Sequence, residues 1–328
     1  MNIQMRVLSS FLVALCLASS AEASCGSSSC PIDLNALNAP IAGQLGLDLS
    51  FQYINQNRLQ IGTRGASVGE IASDHDEMRT TNRITTAALA YAVSRDLQLS
   101  VSVPWISRSH THLEGSLPES WNLKALGDIT LQSRYRLIAN NHATAGGLWA
   151  IAGVKLPTGA HDLRNAHGEL AEVTLQPGSG TTDGIVGLSW QSGTRRSAAI
   201  AGAMGNVTVV PFFATATYQL RRGDVGGYRI GNELQVSSGM AYPLSQNLTG
   251  LLQVNGRIRA KDQIVRGEPN EDTAFTGGTV VYASPGIRYD VRGAGLYAIV
   301  QVPVYQRVNE LQLTSRANVI VGVQHRFR

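Results

Sequence analysis

Six basic residues occupy positions that could attract anions. They are Arg134, Arg136, Lys155, Arg257, Arg259 and Arg288. Two pairs among them stand two residues apart, and in an extended strand that spacing puts both side chains on one face, about 7 Å from each other. Basic charge without nearby acids, held in a wall of low dielectric, raises the local concentration of anions. We therefore predict that these residues line a polar interior and set an anion preference.

Acidic residues are fewer on the same predicted inner face. Asp48 and Glu233 are predicted to line the interior with the six cations, and Asp290 is the third acid on that face. The excess of basic over acidic residues on this face favours a narrow polar pore with a preference for anions. The alternative is an interior filled by charges that pair with one another and leave no path through.

Residue types used in catalysis or metal binding lack a defining context. His110 and His112 fall near Ser107 and Ser109 in a stretch predicted to be a long loop, where a histidine is more often solvated than a general base. In extended backbone the two histidines could share a face and hold a metal, and residues 74–77 would add oxygen ligands. Neither group has a defined partner. We expect no enzymatic activity, no metal site and no cofactor.

The composition excludes several classes of protein. Of 328 residues, 43% are hydrophobic, 15% are charged and 34 are glycine. A disordered chain would be richer in charge. Beyond the N-terminal stretch, no apolar run reaches the about 18 residues of a membrane helix. The net charge of +4 forms no basic patch with stacking aromatics, so no nucleic-acid partner is expected.

Strands must position the basic residues, because hydrophobicity alternates along the chain. In residues 44–53 every odd position is apolar and every even position is polar or glycine, and residues 97–105 and 129–137 repeat the pattern. These stretches approach the roughly 9–11 residues of a tilted membrane strand. Short connections alternate with long ones, as in outer-membrane barrels. Aromatic residues at the strand ends would form two interfacial girdles: Tyr91, Tyr135, Trp190, Tyr242 and Tyr289 beside short turns, and Trp105, Tyr218 and Tyr305 beside long loops.

The pattern predicts an all-β fold, a transmembrane antiparallel up-and-down β-barrel of about twelve strands, with ten or fourteen left open. The strands are predicted near residues 43–55, 82–93, 97–106, 128–138, 147–156, 182–191, 208–221, 229–242, 247–259, 278–290, 295–305 and 316–327. Long loops are predicted at 57–81, 106–127, 157–181 and 261–276. The last strand ends with Phe327, which resembles the signal that the barrel assembly machinery recognises.

The N-terminus is predicted to direct export. Arg6, an apolar stretch and an Ala-x-Ala site indicate a secretory signal peptide over residues 1–23. Cys25 and Cys30 then remain as an even pair in an exported protein, which predicts a small disulfide. A metal-binding or redox-active thiol pair is the alternative, but no third ligand lies nearby. Residues 24–42 would form a short periplasmic or lumenal segment, and residues 43–328 the barrel.

Short motifs resemble those of one barrel family. Residues 127–131 (Gly-Asp-Ile-Thr-Leu) and 134–137 (Arg-Tyr-Arg-Leu) resemble its Gly-Asp-x-x-Leu…Tyr-Arg strand. Residues 153–159 resemble its Lys-Leu-Pro-Thr-Gly strand end, a Gly-rich stretch follows at 178–180, and residues 228–234 match a later strand start. The family is the outer-membrane proteins related to the meta-pathway of phenol degradation, often described as transporters. The resemblance implies an outer-membrane barrel near aromatic-compound metabolism.

These observations predict a channel or conduit for small solutes, aromatic or anionic, in the outer membrane of a Gram-negative bacterium. Its expected partners are outer-membrane lipid, the barrel assembly machinery and a small-molecule solute. Two alternatives stay open: an outer-membrane scaffold or adhesin that binds through its long loops, and a barrel that surrounds an electron-transfer protein and uses the cysteine segment.

Overall fold

Antiparallel strands make up nearly all of the regular structure. The computed structural model describes residues 41–70, 75–114, 117–139, 146–165, 168–192, 211–267 and 273–327. The strands are β1 (Leu45–Gly62), β2 (Arg64–Gly65), β3 (His75–Ala92), β4 (Leu97–Glu114), β5 (Leu117–Leu126), β6 (Thr130–Ala139), β7 (Gly147–Lys155), β8 (Asp183–Gln191), β9 (Phe212–Arg221), β10 (Tyr228–Arg229), β11 (Glu233–Pro243), β12 (Leu248–Arg259), β13 (Gln263–Ile264), β14 (Gly278–Val291) and β15 (Ala294–Phe327).

The main sheet closes into a barrel. Eleven of these strands pair in the order β1–β3–β4–β6–β7–β8–β9–β11–β12–β14–β15, and β15 pairs with β1. The two-residue β2 pairs only with β1, and β5 pairs only with β4, while β10 and β13 form a separate two-stranded sheet. Closure leaves no unpaired sheet edge inside the membrane, where backbone polar groups have no water to bind. The predicted antiparallel barrel is therefore confirmed.

The strand β15 crosses the wall twice. Its residues 294–308 pair with β14, and its residues 308–327 pair with β1. Glu310, with a φ of 28°, lies where the chain reverses. Asn318 donates a side-chain hydrogen bond to Gln301 over 3.3 Å, which joins the two arms. The eleven strand elements thus make twelve crossings, in agreement with the predicted count.

The outer surface is apolar and banded with aromatic rings. Leu49, Leu99 and Leu131 are 42–46% exposed on the outer face of the barrel. All eight aromatic residues predicted at the strand ends also point outward, from Tyr218 at 39% to Tyr135 at 54% exposed. Five of them lie toward the short turns, and Trp105, Tyr218 and Tyr305 lie farther along their strands toward the opposite end of the barrel, as expected for two girdles. Within the described residues, there is no helix long and apolar enough to span a membrane.

Several strands are longer than predicted, at the expense of the first two long loops. We call the end of the barrel with the connections 93–96, 244–247 and 292–293 the short-turn end, and the opposite end the loop end. At the loop end β1 continues to Gly62 and β3 starts at His75, and residues 105–114 of β4 pair with residues 117–126 of β5. The predicted loops 57–81 and 106–127 are therefore largely strand. Apolar alternation lapses in these strand extensions, so the prediction missed them.

Predictions for the N-terminus lie outside the described residues. The signal peptide over 1–23 and the disulfide between Cys25 and Cys30 precede Ile41, the first residue described, and so does all of the predicted segment 24–42 except its last two residues. These remain predictions, as does the division of the chain at residues 23 and 42.

The facing of β6 can be tested with two adjacent substitutions. Leu131 faces outward at 42% exposed, whereas Gln132 lines the interior. Arginine near the bilayer midplane costs about 2–4 kcal/mol on the lipid face and much less in the lumen. We expect Leu131→Arg to lower the free energy of unfolding in lipid vesicles by that amount. Gln132→Arg is the control, and an equal loss in both variants would contradict this register.

Candidate functional site

Two adjoining cavities occupy the barrel interior. A central cavity of about 650 Å³ lies toward the loop end, and a vestibule of about 190 Å³ opens near Ile41, Gln44 and Ala92 at the short-turn end. The linings of both cavities include Asp48, Ala88, Ser102 and Gln324. The two cavities therefore adjoin at this level, and we refer to them together as the passage.

The vestibule lies along one side of the barrel. The opposite side is packed by a cluster of buried residues, Ala241, Leu251, Tyr297, Ile299 and Ile320, and by fully buried aromatic rings such as Trp149 and Phe213. On the side of β1, β3, β4 and β6, small side chains leave room: Gly46, Ala88, Ala90, Ala92, Ser100, Ser102 and Thr130. Residue size on alternate strand positions thus determines where the lumen stays open.

Opposite charges alternate around the wall of the central cavity. Lys155 at the end of β7 is 2.5 Å from Asp128 and 3.1 Å from Asp183 at the start of β8. Asp183 is in turn 3.5 Å from Arg221 at the end of β9. Asp183 faces Lys155 on one side and Arg221 on the other in the strand register, so the strand pairing itself brings these charges together.

The alternation continues through β11 and β12. Arg221 contacts Glu233 at 3.3 Å, and Arg257 contacts the same carboxylate at 3.2 Å. Arg259 bonds both oxygens of Asp262 at 2.8 Å. We call this row, from Asp128 to Arg257, the charge ladder. Buried ions are tolerated only when paired, and the ladder meets this need with protein groups alone.

Five of the eight predicted pore residues line the central cavity, and the acids beside them were not anticipated. The five are Asp48, Lys155, Glu233, Arg257 and Arg259. The expectation of basic charge without nearby acids is wrong. Asp128 and Asp183 lie at strand ends, where their partners could not be assigned before the register was known. Arg221 and Arg108 also line this cavity and were missed.

The other three predicted residues face inward but line neither described cavity. Arg134 and Arg136 lie over the Trp149 ring, at 5.7 and 5.4 Å from its centroid. Arg136 also pairs with Asp96 in the short turn after β3. Arg288 pairs with Asp290 at 2.9 Å and donates to Gln324. Arg134 and Arg136 thus share one face of the strand, as predicted, but both guanidinium groups pack on Trp149 and that of Arg136 also pairs with Asp96.

The carboxylate of Asp128 ties three distant parts of the chain together. Its oxygens accept hydrogen bonds from the backbone N–H of Gly159 at 3.0 Å, and from the N–H and hydroxyl of Ser179 at 2.9 and 2.8 Å. Lys155 pairs with the same group. These residues belong to the three family-like motifs at 127–131, 153–159 and 178–180. The motifs that resemble strand ends therefore build one anchor for the segment 156–182.

Glycines allow the backbones at this anchor to touch. A Cβ on Gly159 would lie 2.6 Å from the carbonyl carbon of Gly127 and 2.7 Å from the Cα of Gly178. A Cβ on Gly178 would lie 2.5 Å from the Gly159 carbonyl. No side chain larger than hydrogen fits such distances without moving the backbone.

The anchored segment bends into the loop end of the barrel. Ala171 and Leu175 are buried against Trp121 and Leu123 of β5. Arg108 of β4 donates to the carbonyl of Thr174 over 2.8 Å. Residues 173–179 consequently form the loop-end boundary of the central cavity, where the sequence predicted a long external loop.

The two histidines occupy a different setting from the one predicted. His110 and His112 lie in β4, point inward and are 1% and 4% exposed. Thr80 bonds to His110 at 2.7 Å, and Glu119 of β5 lies 3.2 Å from His112. The prediction of solvated loop histidines is wrong, because this part of β4 pairs with β3 and β5 and both rings are buried. Among the described residues no three His, Cys, Asp or Glu side chains are grouped to hold a metal.

Comparison with known proteins identifies the architecture. No family model and no curated protein matches the chain. Among solved structures, the COG4313 outer membrane channel from Pseudomonas putida F1 superposes with a TM-score of 0.65 at 13% identity, over 90% of this chain and 100% of that one. The fold is that of an outer-membrane β-barrel.

Other barrels align less well. The translocator domain of autotransporter NalP from Neisseria meningitidis gives a TM-score of 0.46 at 14% identity, over 89% of this chain and 91% of that one. A mutant of the monoaromatic hydrocarbon channel TodX gives 0.45 at 14% identity, over 94% and 99%. The outer-membrane barrel fold and its apolar outer surface confirm the predicted location in the outer membrane of a Gram-negative bacterium.

The anchor glycine can be tested by limited proteolysis. We expect Gly178→Ala to displace the segment 156–182, because the added methyl would overlap the Gly159 backbone. Trypsin should then cut faster after the exposed Arg164. Gly184→Ala is the control, since a Cβ there meets nothing within 4 Å. Equal cleavage of Gly178→Ala and the parent protein would show that the segment is not held there.

Removal of the Asp128 carboxylate should destabilise the barrel. Its ion pair with Lys155 is buried, with side-chain exposures of 6% and 14%, and loss of one partner of a buried pair costs about 3–5 kcal/mol. We expect Asp128→Ala to lower the free energy of unfolding by about 3 kcal/mol, because Asp183 still neutralises Lys155. Asp162→Ala, at an exposed position of the same segment, should change it by less than about 0.5 kcal/mol.

Proposed function

We propose that the protein is a passive outer-membrane channel for small hydrophilic solutes. The observation that carries the proposal is the passage formed by the vestibule and the central cavity, which share Asp48, Ala88, Ser102 and Gln324. A barrel filled throughout by paired side chains would hold no such passage. The central volume of about 650 Å³ falls in the range that small molecules occupy in proteins.

The lining favours polar solutes over hydrocarbons. Charged and amide side chains cover much of the central cavity, and Tyr297 is the one aromatic side chain that lines either described cavity. Transport of aromatic solutes, which the family resemblance implies, stays a prediction, and this polar lining does not favour it.

The charge ladder also changes the expected ionic preference. Lys155, Arg221 and Arg257 are each paired with an acid, so their field on a passing ion is largely cancelled at short range. We propose a weak preference between small cations and anions in place of the predicted strong anion preference. No step of this transport needs a catalytic group or a cofactor.

The segment 156–182 supplies the size limit at the loop end. Residues 173–179 bound the central cavity there, so a solute must pass beside them. We propose that only small molecules cross and that folded proteins or long polymers do not. A scaffold or adhesin would not require a continuous inner passage, and this observation favours the channel.

Planar bilayers and vesicles test the proposal directly. Purified protein should give discrete conductance steps in KCl, and vesicles that contain it should take up glycerol faster than empty vesicles. Conductance indistinguishable from the bilayer alone, with no glycerol uptake, would reject the channel and favour the scaffold.

A cysteine placed at the junction should allow the passage to be blocked after folding. Ala88 lines both cavities, whereas Ala87 points outward. A bulky thiol reagent should abolish most of the conductance of Ala88→Cys, because the attached group fills the shared opening. The same reagent on Ala87→Cys and on the parent protein, which has its own cysteines, provides the controls. Unchanged conductance in labelled Ala88→Cys would place the passage elsewhere.

A further inference from the structure

Asp48 differs from the other acids of the lumen. Asp128, Asp183 and Glu233 are each ion-paired with a base. Within the described part of the chain, no basic group lies within ion-pair distance of Asp48. The hydroxyl of Tyr297 instead lies 3.0 and 3.1 Å from its two oxygens. This carboxylate lines both cavities, and its contacts in this part of the chain are hydrogen bonds from Tyr297 and not ion pairs.

The contact between Tyr297 and Asp48 depends on a glycine. Tyr297 belongs to the 294–308 arm of β15 and reaches Asp48 on β1 across the 308–327 arm, where Gly322 lies between them. A Cβ on Gly322 would be 2.4 Å from the Tyr297 hydroxyl oxygen. The phenol therefore crosses the strand only because this position has no side chain. This arrangement holds the Asp48 carboxylate in one orientation.

Arg326 is the complementary charge of the vestibule. It faces Gly46 across the β1–β15 register, and Gln324 faces Asp48, so Asp48 and Arg326 are diagonal neighbours about 7–8 Å apart at the backbone. Among the described residues the Arg326 side chain makes no hydrogen bond or ion pair. The nearest other charges, Arg288 and Asp290, pair with each other.

Asp48 and Arg326 are the only charged residues in the described lining of the vestibule. The remaining lining consists of small, amide and apolar side chains, among them Gln98, Ser100 and Gln132. The volume of about 190 Å³ admits only a small solute. A simple anion would satisfy Arg326 and meet Asp48 with like charge, and a simple cation would have the opposite problem.

We propose that Asp48 and Arg326 form a two-point site for a small zwitterion, such as an amino acid, on its way through the channel. The inference rests on the proposed function. Asp48 accepts hydrogen bonds from the solute ammonium group, and Arg326 donates to the solute carboxylate. Hydrogen bonds between charged groups are the strong ones, and a zwitterion supplies both partners at once. Tyr297 is a positioning residue for Asp48.

Uptake of two solutes by protein-containing vesicles tests the site. Labelled L-alanine is the zwitterion, and labelled glycerol, of similar size, is the neutral reference. At low concentration, we expect Asp48→Asn and Arg326→Gln each to reduce alanine uptake about tenfold, the lower range for loss of a charged hydrogen bond. Uptake of glycerol, which carries no charge, should stay the same. Alanine uptake by the parent protein should saturate, and glycerol uptake should not.

Matched variants separate local chemistry from net charge and from folding. Asp96→Asn and Arg95→Gln make the same charge changes in the short turn after β3, outside both cavity linings, and should leave alanine uptake unchanged. Tyr297→Phe keeps both charges and should raise the half-saturating alanine concentration without altering glycerol uptake. A shift in electrophoretic mobility on heating confirms that each variant has folded.

The outcomes of this experiment are distinguishable. Selective loss of alanine uptake in Asp48→Asn and Arg326→Gln supports the site. Normal conductance and glycerol uptake, with alanine uptake equal in the parent and both variants, would overturn the site and leave the channel intact. Absence of conductance and of uptake of either solute in the parent protein would overturn the channel and the site together.

Discussion

Closure of the barrel between β1 and the last arm of β15 is the constraint on which the rest of the structure depends. The pairing runs from Leu45 and Phe327 to Gly62 and Val308. Without it, two rows of backbone N–H and C=O groups would face hydrocarbon unpaired, at several kcal/mol each. Once the ring is closed, each strand has one face in lipid and one in the lumen. Apolar side chains must then lie outside, and nearly every polar side chain of the wall must be accommodated inside.

The charge ladder follows from that confinement. Ions held in a narrow lumen lose much of their hydration and are stable only beside an opposite charge. Strand register supplies those neighbours, because directly opposed residues on adjacent strands have their side chains within contact distance, as Lys155 and Asp183 show. Pairing stabilises the charged residues of the wall and weakens the electric field that they exert on a solute in the lumen. Charged residues that are outside these ion pairs, such as Asp48 and Arg326, are therefore the ones best placed to bind a solute.

The loop end of the barrel is stabilised by different interactions from those of the membrane-spanning wall. There the segment 156–182 is held by a single carboxylate, Asp128, and by direct contact among Gly127, Gly159 and Gly178. Because these backbones are in direct contact, the chain at Gly159 and Gly178 has little conformational freedom. The apolar contacts of Ala171 and Leu175 with β5 then keep the segment across the central cavity. The shape of the passage at this end consequently depends on the polar bonds of Asp128, on the contacts among three glycines and on the apolar contacts with β5.

The alternation of side chains in the sequence predicted the strands, their outward faces and the aromatic girdles. It also predicted that Lys155, Arg257 and Arg259 point inward. These features could be predicted because a period of two is a local property of an extended chain. The partners of those cations could not be read in the same way. Asp128 and Asp183 lie at strand ends, and only the register between strands brings them to Lys155. Likewise, the loop-end extensions that bury His110 lack an apolar period, and the bend of residues 156–182 depends on contacts between motifs far apart in the chain. Local hydrophobic periodicity therefore determined the wall, and only long-range pairing decided which charges meet and where the lumen stays open.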